Sequence, residues 1–331
     1  MSLSLSSPCT FRIHSKKFVS ICNRNAPPLK LVSRITIKAI GFNQHIAPKQ
    51  NIHFATQSTV VARAQSNGIS IPVEPKDTEG NKLLANIRAF SFFLWSFTLS
   101  IPLFIIMCLL SPIVLSFDKY RRLAQHFVNN IWACVSTSIF FPVIVEGREN
   151  LPPPDKPVVY VANHQSFLDI YSLFHLRRPF KFISKTSNFL VPVIGWSMFL
   201  TGHVMINRVD RRSQLKCLNE CKDLLSSGAP VLFFPEGTRS KSCKMTGFKK
   251  GAFSVAAKAG VDVVPITLLG TGALMPSGKE AELRSGGIRI IVHKPIPAQK
   301  DANKLCREAR LAIASALPAH LVGEDVQSKD D

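Results

Sequence analysis

Residues 158–169 read VVYVANHQSFLD. Val158–Ala162 is short, uncharged and rich in Val, with the length and composition of a buried strand. Asn163, His164, Gln165 and Ser166 follow without a break, and Phe167-Leu168-Asp169 leads into a helix-like stretch. A strand that ends in polar side chains and turns directly into a helix is the repeating unit of an α/β sheet. In such sheets reactive groups gather at the carboxyl ends of the strands.

The same alternation continues downstream. Strand-like runs occur at Phe180–Ser184, His203–Asn207, Val231–Phe234, Val261–Leu269 and Ile288–His293. Helix-like segments lie between several of them, at Asp210–Ser226, Lys249–Ala259 and Asp301–Ala316. Gly228–Pro230 and Gly260 stop helices where strands must start. The expected fold is an α/β domain with a mixed sheet flanked by helices, over residues 147–320. Residues 321–331 read as a polar tail.

Upstream, no residue between Arg88 and Asp118 carries a formal charge. About 20 apolar residues in a helix cross a bilayer core, so this run is long enough. Pro102 and Pro112 predict a kinked or broken helix. A second apolar stretch, Ile131–Val145, is interrupted by Ser136, Thr137, Ser138 and Pro142. The pair is read as a membrane-associated helical region over 86–146, either spanning the bilayer or embedded as a hairpin in one leaflet. Lys119, Arg121 and Arg122 suit the anionic headgroup side.

The chain of 331 residues carries a net charge of +20, a balance that by itself points to nucleic acid or an anionic membrane. Its distribution decides between them. Nine basic residues, Arg12 to Arg63, precede Glu74, the first acidic residue. An acid-poor, basic, Ser-rich N-terminus is the signature of an organellar transit peptide. The stretch Val60-Val61-Ala62-Arg63-Ala64 resembles a plastid processing site. Residues 1–64 therefore read as a plastid transit peptide and 65–85 as a linker. Once that segment is set aside, no basic groove interleaved with aromatics remains, which disfavours a nucleic-acid binder. None of the eight cysteines forms a CxxC pair, so neither a zinc site nor a disulfide framework is indicated.

His164 is the candidate base: a neutral imidazole takes a proton from an alcohol, and a carboxylate on its other nitrogen stabilises the imidazolium that forms. Asp169, brought back by the turn, can supply that carboxylate. Ser166 lacks the Gly-x-Ser-x-Gly elbow of a serine nucleophile and is read as a helix cap. In FFPEGTRS (233–240) a buried strand ends at Pro235. Gly237 then permits close backbone approach, Thr238 and Ser240 offer hydroxyls, and Arg239 offers a planar fork for phosphate oxygens. Lys241, Lys244, Lys249 and Lys250 add positive field. Glu236, repulsive to phosphate, either orients Arg239 or bonds a substrate hydroxyl. Arg208, closing GHVMINR (202–208), can reach the same mouth, whereas His203 reads as a packing residue.

Taken in order, NHQSFLD (163–169), GHVMINR (202–208), FPEGTRS (234–240) and VPITLLG (264–270) resemble the four motifs of the glycerolipid acyltransferases. The likeness is greatest to the plastid-type lysophosphatidate acyltransferases. It covers roughly 150–296, with one departure: Asn207 stands where that family often has Asp. The resemblance implies a glycerolipid-acyltransferase-like domain that transfers an acyl group to the sn-2 hydroxyl of lysophosphatidate, giving phosphatidate. It implies His164 as base, Asp169 as its orienter, and Arg208, Glu236, Gly237, Thr238 and Arg239 as the acceptor site. Val264, Pro265 and Ile266 are expected to shape a substrate pocket. No metal, cofactor or covalent acyl-enzyme is implied. The expected partners are lysophosphatidate, an acyl-carrier-protein or acyl-CoA thioester, and the bilayer of a plastid envelope membrane. Acylation of another lysophospholipid and a non-catalytic lipid-binding role are the alternatives.

Overall fold

A computed structural model describes residues 82–324. The expected transit peptide, most of the linker and residues 325–331 lie outside the described residues. The domain contains strands β1 (Val143–Glu146), β2 (Val159–Ala162), β3 (Lys181–Lys185), β4 (Val204–Ile206), β5 (Val231–Phe233), β6 (Val263–Leu269) and β7 (Ile288–Val292). The helices are α1 (Lys82–Phe117), α2 (Leu123–Ser138), α3 (Leu168–Phe174), α4 (Ile194–Thr201), α5 (Arg211–Ser226), α6 (Gly251–Ala259), α7 (Thr271–Leu274) and α8 (Ala302–Ala316).

The strands form one sheet in the order β1-β7-β6-β2-β5-β3-β4. Neighbours run parallel except β6 and β7, which are antiparallel, so the sheet is mixed. The central strands are buried on both faces, as a sheet covered by helices on both sides requires. On β2, Tyr160 and Ala162 face one core with Phe92, Ala133, Tyr171 and Phe174 of α1, α2 and α3. Val159 and Val161 face the other, with Cys217, Phe253 and Ile313 of α5, α6 and α8. The alternation is the two-residue period of a strand, expressed here as a three-layer α/β/α sandwich.

Several boundaries differ from the sequence reading. α1 begins at Lys82, inside the expected linker, and runs for 36 residues through Pro102 and Pro112. Each proline removes one backbone hydrogen bond, but α2 and α4 pack along the helix and hold it. The second apolar stretch is not a second long apolar helix. α2 ends at Ser138, and β1 follows and pairs with β7, so the sheet starts ahead of residue 147. α2 also buries polar side chains, among them Gln125, His126 and Asn129, on the side it packs against the domain. At the other end, Gly323 donates its N–H to Met245 O, and Arg310 donates to Gly323 O, so the first residues of the expected tail are tied to the domain as far as Gly323. Among the described residues α1 is long and apolar enough to cross a membrane, and only 17% of its most apolar window is buried.

Candidate active site

His164 leaves the carboxyl end of β2 and is gripped on every side but one. Asn163, just before it, donates to Leu268 O at 3.0 Å and accepts from Leu268 N at 2.8 Å, tying the end of β2 to β6 where the ladder stops. The His164 backbone N–H donates to Glu236 Oε1 at 2.7 Å, and its carbonyl accepts from Ser240 N at 2.9 Å. The ring stacks on Phe234 with centroids 3.9 Å apart and planes at 16°. Nδ1 lies 2.8 Å from Asp169 Oδ2. That oxygen already accepts from Gln165 N at 2.7 Å and Ser166 N at 2.9 Å, so it serves as acceptor and Nδ1 carries the hydrogen. The neutral ring then has its lone pair on Nε2, which has no protein partner among the described residues. The His164 side chain keeps 12% of its surface exposed, whereas Asp169 is wholly buried.

Asp169 sits in the first turn of α3, where the positive end of the helix favours a carboxylate. Ser166 is a local brace one residue ahead of the cap position, which Phe167 holds: its Oγ accepts from Leu168 N at 3.2 Å and donates to Met275 O at 2.6 Å.

The loop after β5 contributes two kinds of residue. Gly237 has φ +78°, and a Cβ there would lie 3.3 Å from Lys249 Cε, so the turn needs glycine. Phe234, Gly237, Lys249, Arg208 and Gln214 line a cleft of about 320 Å³ whose floor includes Cys217 and Phe233. Arg239 donates to Glu280 Oε1 at 2.8 Å. Partial burial, and then the neighbouring Arg239 guanidinium, pull the Arg208 pKa below its ordinary value. Arg208 and Lys249 both line the cleft, and their charge favours an anion there. Thr238 is exposed beside them.

Glu236 does not face this cleft. It is 4% exposed, and both of its oxygens are engaged, Oε1 by His164 and Oε2 by the N–H and hydroxyl of Thr246 at 2.8 and 2.9 Å. Burial pushes its carboxyl above the usual range, and the bonds from Thr246 and His164 oppose that shift. Its position is that of a brace for the His164 backbone rather than of a group facing the cleft. Val264, Pro265 and Ile266 are likewise fully buried in β6, beneath the site, and do not line the cleft. His203 packs as expected, its Nδ1 accepting from Phe182 N at 3.0 Å. The sequence reading missed Phe234 as the ring under His164, Thr246 as the partner of Glu236, and Glu280 as the counter-ion of Arg239. Phe234 stood inside a quoted motif, but nothing local marks Thr246 or Glu280. Among the described residues no group of three or more His, Cys, Asp or Glu side chains is placed to hold a metal.

An imidazole held by a buried carboxylate, beside a cleft edged with arginine and lysine, suits proton abstraction from a hydroxyl on a phosphate-bearing molecule. The chain is also similar to known proteins. The Acyltransferase family model matches residues 142–269. A 1-acyl-sn-glycerol-3-phosphate acyltransferase of Chlamydomonas reinhardtii is 67% identical over 93% of this chain and 92% of its own. A chloroplastic 1-acyl-sn-glycerol-3-phosphate acyltransferase of Arabidopsis thaliana is 48% identical over 78% of this chain and 72% of its own. The crystal structure of the 1-acyl-sn-glycerophosphate acyltransferase of Thermotoga maritima superposes with a TM-score of 0.62 at 25% identity, covering 71% of this chain and 95% of that one. With its ordered motifs, its mixed sheet and these relatives, the chain belongs to the 1-acyl-sn-glycerol-3-phosphate acyltransferase family.

Proposed function

We propose that the protein transfers an acyl group from an acyl thioester to the sn-2 hydroxyl of lysophosphatidate, forming phosphatidate. The observation that carries this reading is the His164–Asp169 pair, locked in one tautomer beside the cleft edged by Arg208 and Lys249. His164 Nε2 takes the hydroxyl proton, and the oxygen attacks the thioester carbonyl. The tetrahedral intermediate expels the thiolate, which recovers the proton from the imidazolium. Asp169 stabilises that imidazolium, and no covalent acyl-enzyme is formed. Arg208 and Arg239, with Lys249 nearby, hold the phosphate of the acceptor. Gly237 and Thr238 shape the turn that lets it approach, and Glu236 keeps the His164 backbone in place.

The transit-peptide character of residues 1–64 and the chloroplastic relatives support a plastid location. There, an acyl-carrier-protein thioester is the proposed donor and the envelope membrane the site of action. The exposed apolar flank of α1 is the proposed attachment to that membrane. A non-catalytic lipid binder has no need of the His164–Asp169 pair, which this chain retains.

The test offers the full chain, in detergent, lysophosphatidate beside other lysophospholipids, with both acyl-carrier-protein and coenzyme A thioesters. Phosphatidate as the dominant product supports the acceptor assignment, and the ratio of rates tests the donor. Acylation of a different lysolipid in preference to lysophosphatidate overturns it.

A further inference from the structure

From Thr186 to Asn207 the chain carries no Asp, Glu, Lys or Arg, and the stretch is bracketed by Lys185 on one side and Arg208, Arg211 and Arg212 on the other. It folds as a 3-10 turn (Thr186–Leu190), α4 and β4, too broken to cross a membrane. Even so, the turn and α4 leave large apolar side chains in the open. Leu190 is 77% exposed, Phe199 64% and Trp196 51%, and of the helix only Gly195 and Thr201 are buried. Burial accounts for Phe189 and Val204 but not for Leu190, Trp196 and Phe199.

Their position does. α4 packs against α1, with the Trp196 ring 6.0 Å from that of Phe104, so the exposed rings continue the apolar flank of α1. The α1–α2 turn joins them at the far end, where Arg122 donates to Phe199 O and Leu200 O at 2.9 and 2.7 Å. Exposed Lys119 and Tyr120 lie on that turn. Aromatic rings beside an apolar helix, ringed by cations, match the border between headgroups and acyl chains. At 8 residues, α4 spans about 12 Å, enough to lie in that border and not to traverse a core of about 30 Å. An acidic carrier protein would look for cations in the patch itself, which has none.

We propose that the Leu190–Phe199 segment is a second bilayer-contact surface, seated in the headgroup border of a membrane containing anionic lipid. It works alongside α1 and holds the sheet edge beside the cleft against the membrane that carries the acceptor. This rests on the reading that α1 lies in the bilayer, and the experiment separates the two.

The full chain and Trp196→Phe are bound to phosphatidylglycerol-containing vesicles made with lipid brominated near the carbonyl end of the chain. The emission lost in the variant reports Trp196, while Trp95 of α1 and Trp132 remain in both. Bromine quenching of the Trp196 signal supports the proposal. Quenching confined to the remaining tryptophans overturns it and leaves α1 in the membrane. A wild-type protein that fails to bind vesicles overturns both readings. In a second arm, Trp196→Glu with Phe199→Glu should weaken vesicle affinity by at least about ten-fold, since two rings lose their apolar surroundings. Turnover on vesicle-borne lysophosphatidate should fall in step, with turnover in detergent micelles unchanged. Equal affinity and equal vesicle turnover overturn the proposal. So does a variant that dissociates a dimer by sedimentation, which would give the surface to a second copy of the chain.

Discussion

Glu236 and Arg239 belong to one loop, and their surroundings separate their roles. Glu236 is enclosed by His164 and Thr246, whereas Arg239 is about one-third exposed and pairs with Glu280, which is exposed to the same degree. Glu236→Gln keeps the shape but turns one acceptor into a donor that must face either the His164 N–H or the Thr246 N–H. It should cost about 1–3 kcal/mol of stability. By displacing His164 it should lower kcat while leaving the KM for lysophosphatidate near wild type. Thermal unfolding and initial rates together check this, and a selective rise in that KM would return Glu236 to the acceptor site. Arg239→Ala should raise the same KM by roughly ten-fold, the worth of a charge-assisted hydrogen bond. The KM for the acyl donor should barely change, and an equal rise in both would remove Arg239 from the acceptor site. The pairing of His164 with Asp169 was legible from the four motifs taken in order, since the spacing of the two residues alone arises often by chance, and the structure brings them to 2.8 Å. The orientation of Glu236 was not, because a carboxylate between arginines reads equally as ligand or brace until its burial is known.

Among the elements, β2 and β6 hold the site together through one side chain. Asn163 satisfies both the N–H and the carbonyl of Leu268 in a fully buried setting. Asn163→Ala would leave two buried backbone groups unpaired, at a cost of roughly 2–5 kcal/mol. The expected result is a lower denaturation midpoint with an unchanged denaturant slope, and a midpoint within error of wild type would contradict it. The strands from β2 to β7 were legible because buried runs of Val, Ile, Leu and Phe are bounded by Gly, Pro or charge. β1 was hidden behind Pro142 at the end of an apolar stretch that reads as membrane helix. α4 was hidden because IGWSMFLT has no polar face to give it a helical period. Of the kink or break expected at the prolines of α1, the break does not occur, because packing against α2 and α4 holds the helix.

At the scale of the molecule, a single buried lysine joins the apolar helices to the sheet. Lys181, wholly buried at the start of β3, donates to Arg121 O in the α1–α2 turn at 2.6 Å and to Thr201 O at the end of α4 at 2.7 Å. Burial, then the nearby Arg122 guanidinium, lower its pKa to about 7, with Asp118 opposing. A lysine near 10.5 in the unfolded chain binds more protons there than in the native state between those values. The buried charge therefore costs stability fully below about 7, and the cost is relieved as pH rises toward the unfolded value. Thermal midpoints in detergent should climb from pH 7 to pH 9 more steeply for wild type than for Lys181→Met. Parallel slopes would show that Lys181 stays charged throughout. Nothing in the local sequence separates this lysine from its many exposed counterparts, since its burial depends on three elements meeting. The net charge was also informative only after its location was read, because much of the excess lies ahead of the first acidic residue.

The most direct test of the account is the turnover of His164→Ala beside wild type, on lysophosphatidate in detergent with saturating acyl-carrier-protein thioester. The account predicts phosphatidate from wild type and a fall in kcat of at least ~10²-fold in the variant, with the fold intact by circular dichroism. Near-normal turnover in the variant would contradict it and leave the cleft with some other base.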